Sequence, residues 1–165
     1  LSILAYANKE RPGTSVSDVL QAHYHKYGRN FFSRYDYEEV DSAGANAMMN
    51  DLRSKFTDPN FIGTSLGAFK AAQAGDFSYT DPIDHSVSKN QGLYVRMEDG
   101  SRIVFRLSGT GSAGATIRLY VEKYTSVERE YAPDVQQALK PIIQVALDLS
   151  ALQRHTGREQ PTVIT

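Results

Sequence analysis

A chain of 165 residues corresponds to about one domain and is long enough to bury one sizeable core. Lys and Arg number 18 against 19 Asp and Glu, so the formal charge of −1 excludes a global field that would gather nucleic acid or an anionic membrane. The absence of Cys excludes disulfide frameworks, thiolate zinc sites and cysteine nucleophiles, and no run approaches the ~18 apolar residues of a membrane span.

Leu1 opens an apolar run with Ile3, Leu4, Ala5, Tyr6 and Ala7, and neither a basic segment nor a small-residue cleavage site accompanies it. The run predicts the last turns of a helix that starts elsewhere, so the chain is expected to be a fragment. Lys9 to Thr14 carries Pro12-Gly13, a turn signal that divides residues 1–13, a helix end plus hinge, from a main domain over 14–165. Ser15 predicts an N-cap, with Asp18 three residues on. Val16, Val19, Leu20, His23, Tyr24 and Tyr27 then follow at helical spacing up to Gly28.

Asn30 to Val40 changes to period 2 and is rich in aromatics, which predicts a strand. Asp41 or Ser42 can cap a second helix with the stripe Ala45, Met48, Met49, Leu52 and Phe56, ended by Asp58-Pro59. Residues 60–90 are broken by Gly63, Gly67, Gly75 and Asp81-Pro82, with one strand expected around Ala68 to Tyr79. Leu93 to Met97, the turn Glu98-Asp99-Gly100-Ser101, and Arg102 to Leu107 predict a hairpin. Thr116 to Lys123 alternates again. Asp134 to Arg154 predicts a helix, bent or restarted at Pro141 and closed by Gly157, and Thr162 to Thr165 a short final strand. Hairpin-linked strands beside separate helices predict an α+β fold with an antiparallel sheet.

Between the last two long strands stand seven small residues, Ser108-Gly109-Thr110-Gly111-Ser112-Ala113-Gly114. Glycines let consecutive backbone N–H groups face one anion, and Ser108, Thr110 and Ser112 add hydroxyl donors. Arg106 before the run and Arg118 after it can converge there, each offering paired donors that match two oxygens of a phosphate. The run also satisfies G-x-G-x-x-G, yet that motif must open a helix, and here period 2 resumes at Thr116. A dinucleotide fold is therefore rejected. Other polar groups read as ordinary: His23 and His25 lie two apart and face different ways, Asp81, Asp84 and His85 fit turn chemistry, and Asp36, Glu38 and Glu39 read as a solvated face.

The segment Arg106 to Arg118 resembles the phosphate-binding loop in the C-terminal domain of phosphoglucomutases, members of the α-D-phosphohexomutase family. Tyr27-Gly28-Arg29-Asn30, Arg34 to Ser42, Asn90-Gln91-Gly92-Leu93 and Pro161 to Thr165 are similar to the same family, while Asp58 to Gly75 matches least and is expected to be a variable loop. The resemblance implies a TATA-box-binding-protein-like antiparallel sheet flanked by helices. It implies substrate phosphate binding by Arg106, Ser108, Gly109, Thr110 and Arg118, with Arg29 added from its sequence context, and no catalytic or metal-binding residue in this chain. The family's phosphoserine segment, aspartate-rich Mg2+ loop and Gly-Glu-Glu-Ser sugar loop are absent from the sequence.

The implied activity of a complete enzyme is interconversion of glucose 1-phosphate and glucose 6-phosphate. It proceeds through glucose 1,6-bisphosphate, with Mg2+ bound outside this chain. The expected partners are sugar phosphate and the enzyme's remaining domains, not nucleic acid or membrane, and the expected setting is cytoplasmic. A non-catalytic scaffolding paralogue is the alternative.

Overall fold

In the segment Arg29 to Val40 every second residue from Phe31 to Tyr37 is buried, and this alternation fixes which face of the central strand meets the core. The computed structural model describes residues 1–111 and 114–165. In chain order it has α1 (Ser2–Glu10), α2 (Val16–Tyr27), β1 (Arg29–Val40), α3 (Ser42–Thr57), β2 (Ser65–Leu66), β3 (Phe69–Asp76), β4 (Tyr79–Thr80) and β5 (Val87–Ser88). There follow β6 (Leu93–Met97), β7 (Arg102–Gly111), β8 (Gly114–Thr125), a 3-10 turn (Glu128–Glu130), α4 (Val135–Ser150), α5 (Leu152–Thr156) and β9 (Val163–Ile164). The α+β expectation is met. A seven-stranded sheet runs β2-β3-β6-β7-β8-β1-β9 with every pairing antiparallel.

Helices α3 and α4 cover one face of this sheet, and α5 packs against both of them. Met48 and Leu52 of α3 and Leu139, Ile142 and Ala146 of α4 meet Phe31, Phe105, Ile117 and Leu119 from the strands, all of them buried. Burying each such side chain contributes about 1.5–3 kcal/mol, so this layer holds the sheet in shape. The helices start where side chains can accept from free backbone N–H groups. Ser15 and Asp18 form a reciprocal capping box on α2, Asp41 accepts from Gly44 N, and Asp134 accepts from Gln136 N. Gly44 lies so close to the His155 carbonyl that a side chain there would strike it, which lets α3 and α5 meet. By contrast, α1 and α2 bury no residue.

The chain departs from its sequence pattern in four places. Pro141 does not interrupt α4; it is exposed on the helix surface, as is Gln137, whose carbonyl loses its partner there and meets solvent. The break falls instead at Ala151, which is left-handed at φ 46° and divides α4 from α5. The strand expected around Ala68 to Tyr79 is present as β3, ending at Asp76, but β2 (Ser65–Leu66) pairs with it where only breaks were read, and a bulge between Ala71 and Gln73 obscures the alternation opposite β6. The small-residue run belongs largely to the strands, since Ser108 pairs with Thr116 and Gly111 with Gly114 across a bulge.

Candidate phosphate-binding site

The face of the sheet that carries no helix holds the even-numbered residues of β7, β8 and β1. Arg106 on β7 stands directly across from Arg118 on β8, and Arg118 directly across from Asp36 on β1. The buried neighbours Phe105, Ile117, Leu119, Tyr35 and Tyr37 point the other way, into the helices. Like charges directly opposite each other on a sheet are destabilising unless something compensates. Asp36 compensates on one side only: its Oδ1 lies 2.9 Å from Arg34 Nε and its Oδ2 lies 3.8 Å from Arg118 Nε. Arg106 and Arg118 share this row with the single carboxylate of Asp36, which Arg34 from the next row also pairs, so the group carries excess positive charge. That excess matches a phosphate dianion.

One step nearer the hairpin tip, Ser108 and Thr116 are paired on the same face, so two hydroxyls flank the two arginines. Gly109 adopts φ 65° with nothing within 4 Å of where a side chain would begin, and the bulge between Ser108 and Gly111 starts there. Gly114 has φ 91°, and a Cβ on it would lie 3.1 Å from the Val40 carbonyl oxygen and 3.2 Å from Glu39 Cα. The returning strand is thus seated against a bulge in β1, where Glu39 itself is left-handed at φ 54°. Arg158 Nη2 braces that bulge by donating to the Glu38 carbonyl at 3.0 Å. The side chain of Thr110 and all of Ser112 lie outside the described residues.

A concavity of 690 Å³ on the same sheet face reaches Arg106 and extends away from the tip past Gln91, Gly92, Tyr94 and Arg102. Gly92 is buried against Arg106, and a Cβ on it would meet Arg106 Cγ at 3.1 Å, so the small residue makes room for the arginine stem. Among the described residues neither Arg106 nor Arg118 donates a hydrogen bond to a protein acceptor. Apart from Arg118 Nε, which is buried beside Asp36, their donors stay available to a ligand.

Arg29 is not brought to this group. It lies seven residues from Asp36 along β1, about 23 Å at ~3.3 Å per residue, and on the helix-covered face. Its Nη1 donates to the carbonyls of Tyr131 and Pro133, and its guanidinium lies 4.1 Å from the Phe31 ring centroid. Asp36 differs from its expected solvated setting: it is 4% exposed, beneath two arginines and beside the paired tail. Thr116 went unmarked and Asp36 read as solvated because a two-residue period says which side chains share a face but not which strands lie side by side. Asp81, Asp84 and His85 form a turn in which Asp81 Oδ1 accepts from Ile83 N at 2.7 Å and Asp84 Oδ1 from Ser86 N at 2.8 Å. These hydrogen bonds from Ser86 hold the Asp84 carboxyl below its ordinary value. Among the described residues no group of three or more His, Asp or Glu side chains converges as a metal site would require.

The family model for the phosphoglucomutase-1 C-terminal domain matches residues 29–162. The chain belongs to the phosphoglucomutase family. Over its whole length it is 52% identical to human phosphoglucomutase-1 and 53% identical to the chloroplastic phosphoglucomutase 1 of Marchantia polymorpha. It spans 29% and 26% of those two relatives. The solved open form of pp63/parafusin, a phosphoglucomutase from Paramecium, superposes with a TM-score of 0.82 at 46% identity, over 99% of this chain and 27% of that one. A phosphoglucomutase C-terminal domain thus accounts for the sheet, its helices and the arginine-bearing hairpin together.

Proposed function

We propose that this chain is the part of a phosphoglucomutase that grips the substrate phosphate not being transferred. The supporting observation is the cross-strand pair Arg106 and Arg118, neither of which donates a hydrogen bond to a protein acceptor among the described residues, flanked by Ser108 and the bulge at Gly109. Arg106, Ser108, Gly109, Thr110 and Arg118 are the proposed ligands. Charge-assisted donors fixed on neighbouring strands neutralise a dianion with little reorganisation, and they place no demand on which way the sugar ring points. That suits interconversion of glucose 1-phosphate and glucose 6-phosphate through glucose 1,6-bisphosphate, in which either end must occupy the same distal site.

The chemical step falls to the rest of the enzyme. No step assigned to this chain passes through Mg2+, whose ligands are proposed to lie on other domains together with the phosphoryl donor. The chain's role is positioning, and a swing about Pro12-Gly13 at the boundary of residues 1–13 with 14–165 is the proposed means of closing it over substrate. Among the described residues no helix is long and apolar enough to cross a membrane. A plastid suits the chain as well as the cytoplasm does, because chloroplastic and animal relatives match it almost equally.

Arg118→Ala in the complete enzyme tests this reading. The expected result is a raised KM and a loss in kcat/KM of about 1.5–3 kcal/mol, roughly ten- to hundred-fold. The 165-residue chain alone is expected to bind inorganic phosphate without turning over sugar phosphate. Unchanged kinetics in the variant would remove the arginine pair from the substrate site.

A further inference from the structure

Asp36 is a buried carboxylate whose cost must be offset by charge or hydrogen bonds. Its Oδ1, Arg34 Nε and Arg118 Nε are buried and lack an aligned hydrogen-bond partner, so the contacts at 2.9 and 3.8 Å act as charge on charge. Both of its carboxylate oxygens are thereby committed to guanidinium nitrogens nearest the arginine stems. The Arg118 side chain is 40% exposed, and its outer nitrogens make no hydrogen bond among the described residues. The backbone of Asp36 is itself fixed from both sides: it pairs with Arg118 on β8, and its carbonyl accepts from Thr162 N at 2.7 Å on the tail.

We propose that Asp36 is a positioning residue for Arg118, anchoring the inner edge of its guanidinium so that the outer donors aim at the bound phosphate. The inference rests on the phosphate-gripping reading above and extends it to a residue that does not touch substrate. It runs against simple charge counting. Neutralising Asp36 raises the local positive charge by one, so Coulomb attraction alone would tighten anion binding. Loss of the anchor weakens it instead, since a freed arginine must be ordered again each time the phosphate binds.

The test uses the complete enzyme and compares Asp36→Asn, Arg118→Ala and the double variant. KM for sugar phosphate, kcat, and the inhibition constant of inorganic phosphate are read for each. Asp36→Asn is expected to raise KM and the inhibition constant by roughly tenfold while kcat changes less than about twofold. Added to Arg118→Ala, it should have almost no further effect, because the residue it positions is gone. Asp36→Glu keeps the charge but displaces it, and should fall between the wild type and Asp36→Asn; it also serves if the asparagine variant does not fold.

Tighter phosphate binding in Asp36→Asn, or effects that simply add in the double variant, would overturn the positioning role. An unchanged KM in Asp36→Glu would overturn it too if the asparagine variant were lost. If Arg118→Ala alone leaves binding intact, the phosphate reading itself falls, and the two failures are distinguishable.

Discussion

The two ends of the open sheet face carry the same residue types in opposite conditions. Away from the hairpin tip, Arg102 Nη2 lies 2.5 Å from Glu122 Oε2, and Asn30 Nδ2 donates to Glu122 Oε1 at 2.5 Å, so cation and amide are both satisfied. On the covered face at that same end, Arg29 spends its donors on backbone carbonyls. At the tip end, Arg106 and Arg118 oppose each other with the Asp36 carboxylate alongside. An arginine that the fold has already satisfied is structural. One held in place with its donors free is available to a ligand.

The contrast breaks if substitutions at the two ends behave alike. The loss in kcat/KM for Arg118→Ala is the largest effect expected. Next comes Gly114→Ala, which forces a side chain to φ 91° and against the Val40 carbonyl; a loss of about 2–3 kcal/mol is expected in denaturant unfolding, with KM raised as well. Arg29→Ala should cost about 1–2 kcal/mol of stability through its lost carbonyl contacts and ring stacking while leaving KM unchanged. A raised KM there would return Arg29 to the site. Arg102→Ala removes a partly exposed ion pair and should cost less than about 1 kcal/mol, with no kinetic consequence.

The smallest effect concerns Tyr37, whose hydroxyl is pushed up first by burial and then by neighbouring Tyr35. Its folded pKa is raised, so its contribution is fully present below the unfolded tyrosine value of about 10 and is lost as pH rises through the folded value. Thermal unfolding measured from about pH 9 upward should fall less steeply in Tyr37→Phe than in the unaltered chain.

What the sequence made legible follows from periodicity. Period 2 across 30–40, 93–97 and 102–107 gave strands, and the stripe from Ala45 to Phe56 gave α3, because one-sided burial must repeat with the geometry of its element. The arginine pair was legible as a convergence on the small-residue run. Its register was not, since Arg106 and Arg118 face each other only because the ladder continues through Ser108 and Thr116. Asp36 was misleading for a related reason: it alternates like a solvent-facing residue, and its burial depends on Arg118 and on a tail more than a hundred positions away. Pro141 misled in the other direction, because a helix tolerates a lost bond wherever the freed carbonyl meets water.

Strand β1 would be an outer edge of its sheet were β9 not laid along it, where Arg34 N donates to the Thr165 carbonyl at 2.8 Å and Thr165 N to the Arg34 carbonyl at 2.9 Å. Unpaired strand borders invite other polypeptides to add on, and Phe32 on this one is 72% exposed. Proteolytic trimming after Gln160 would therefore strip away a sealing ribbon and leave a sticky margin, turning the molecule into one prone to join its own kind.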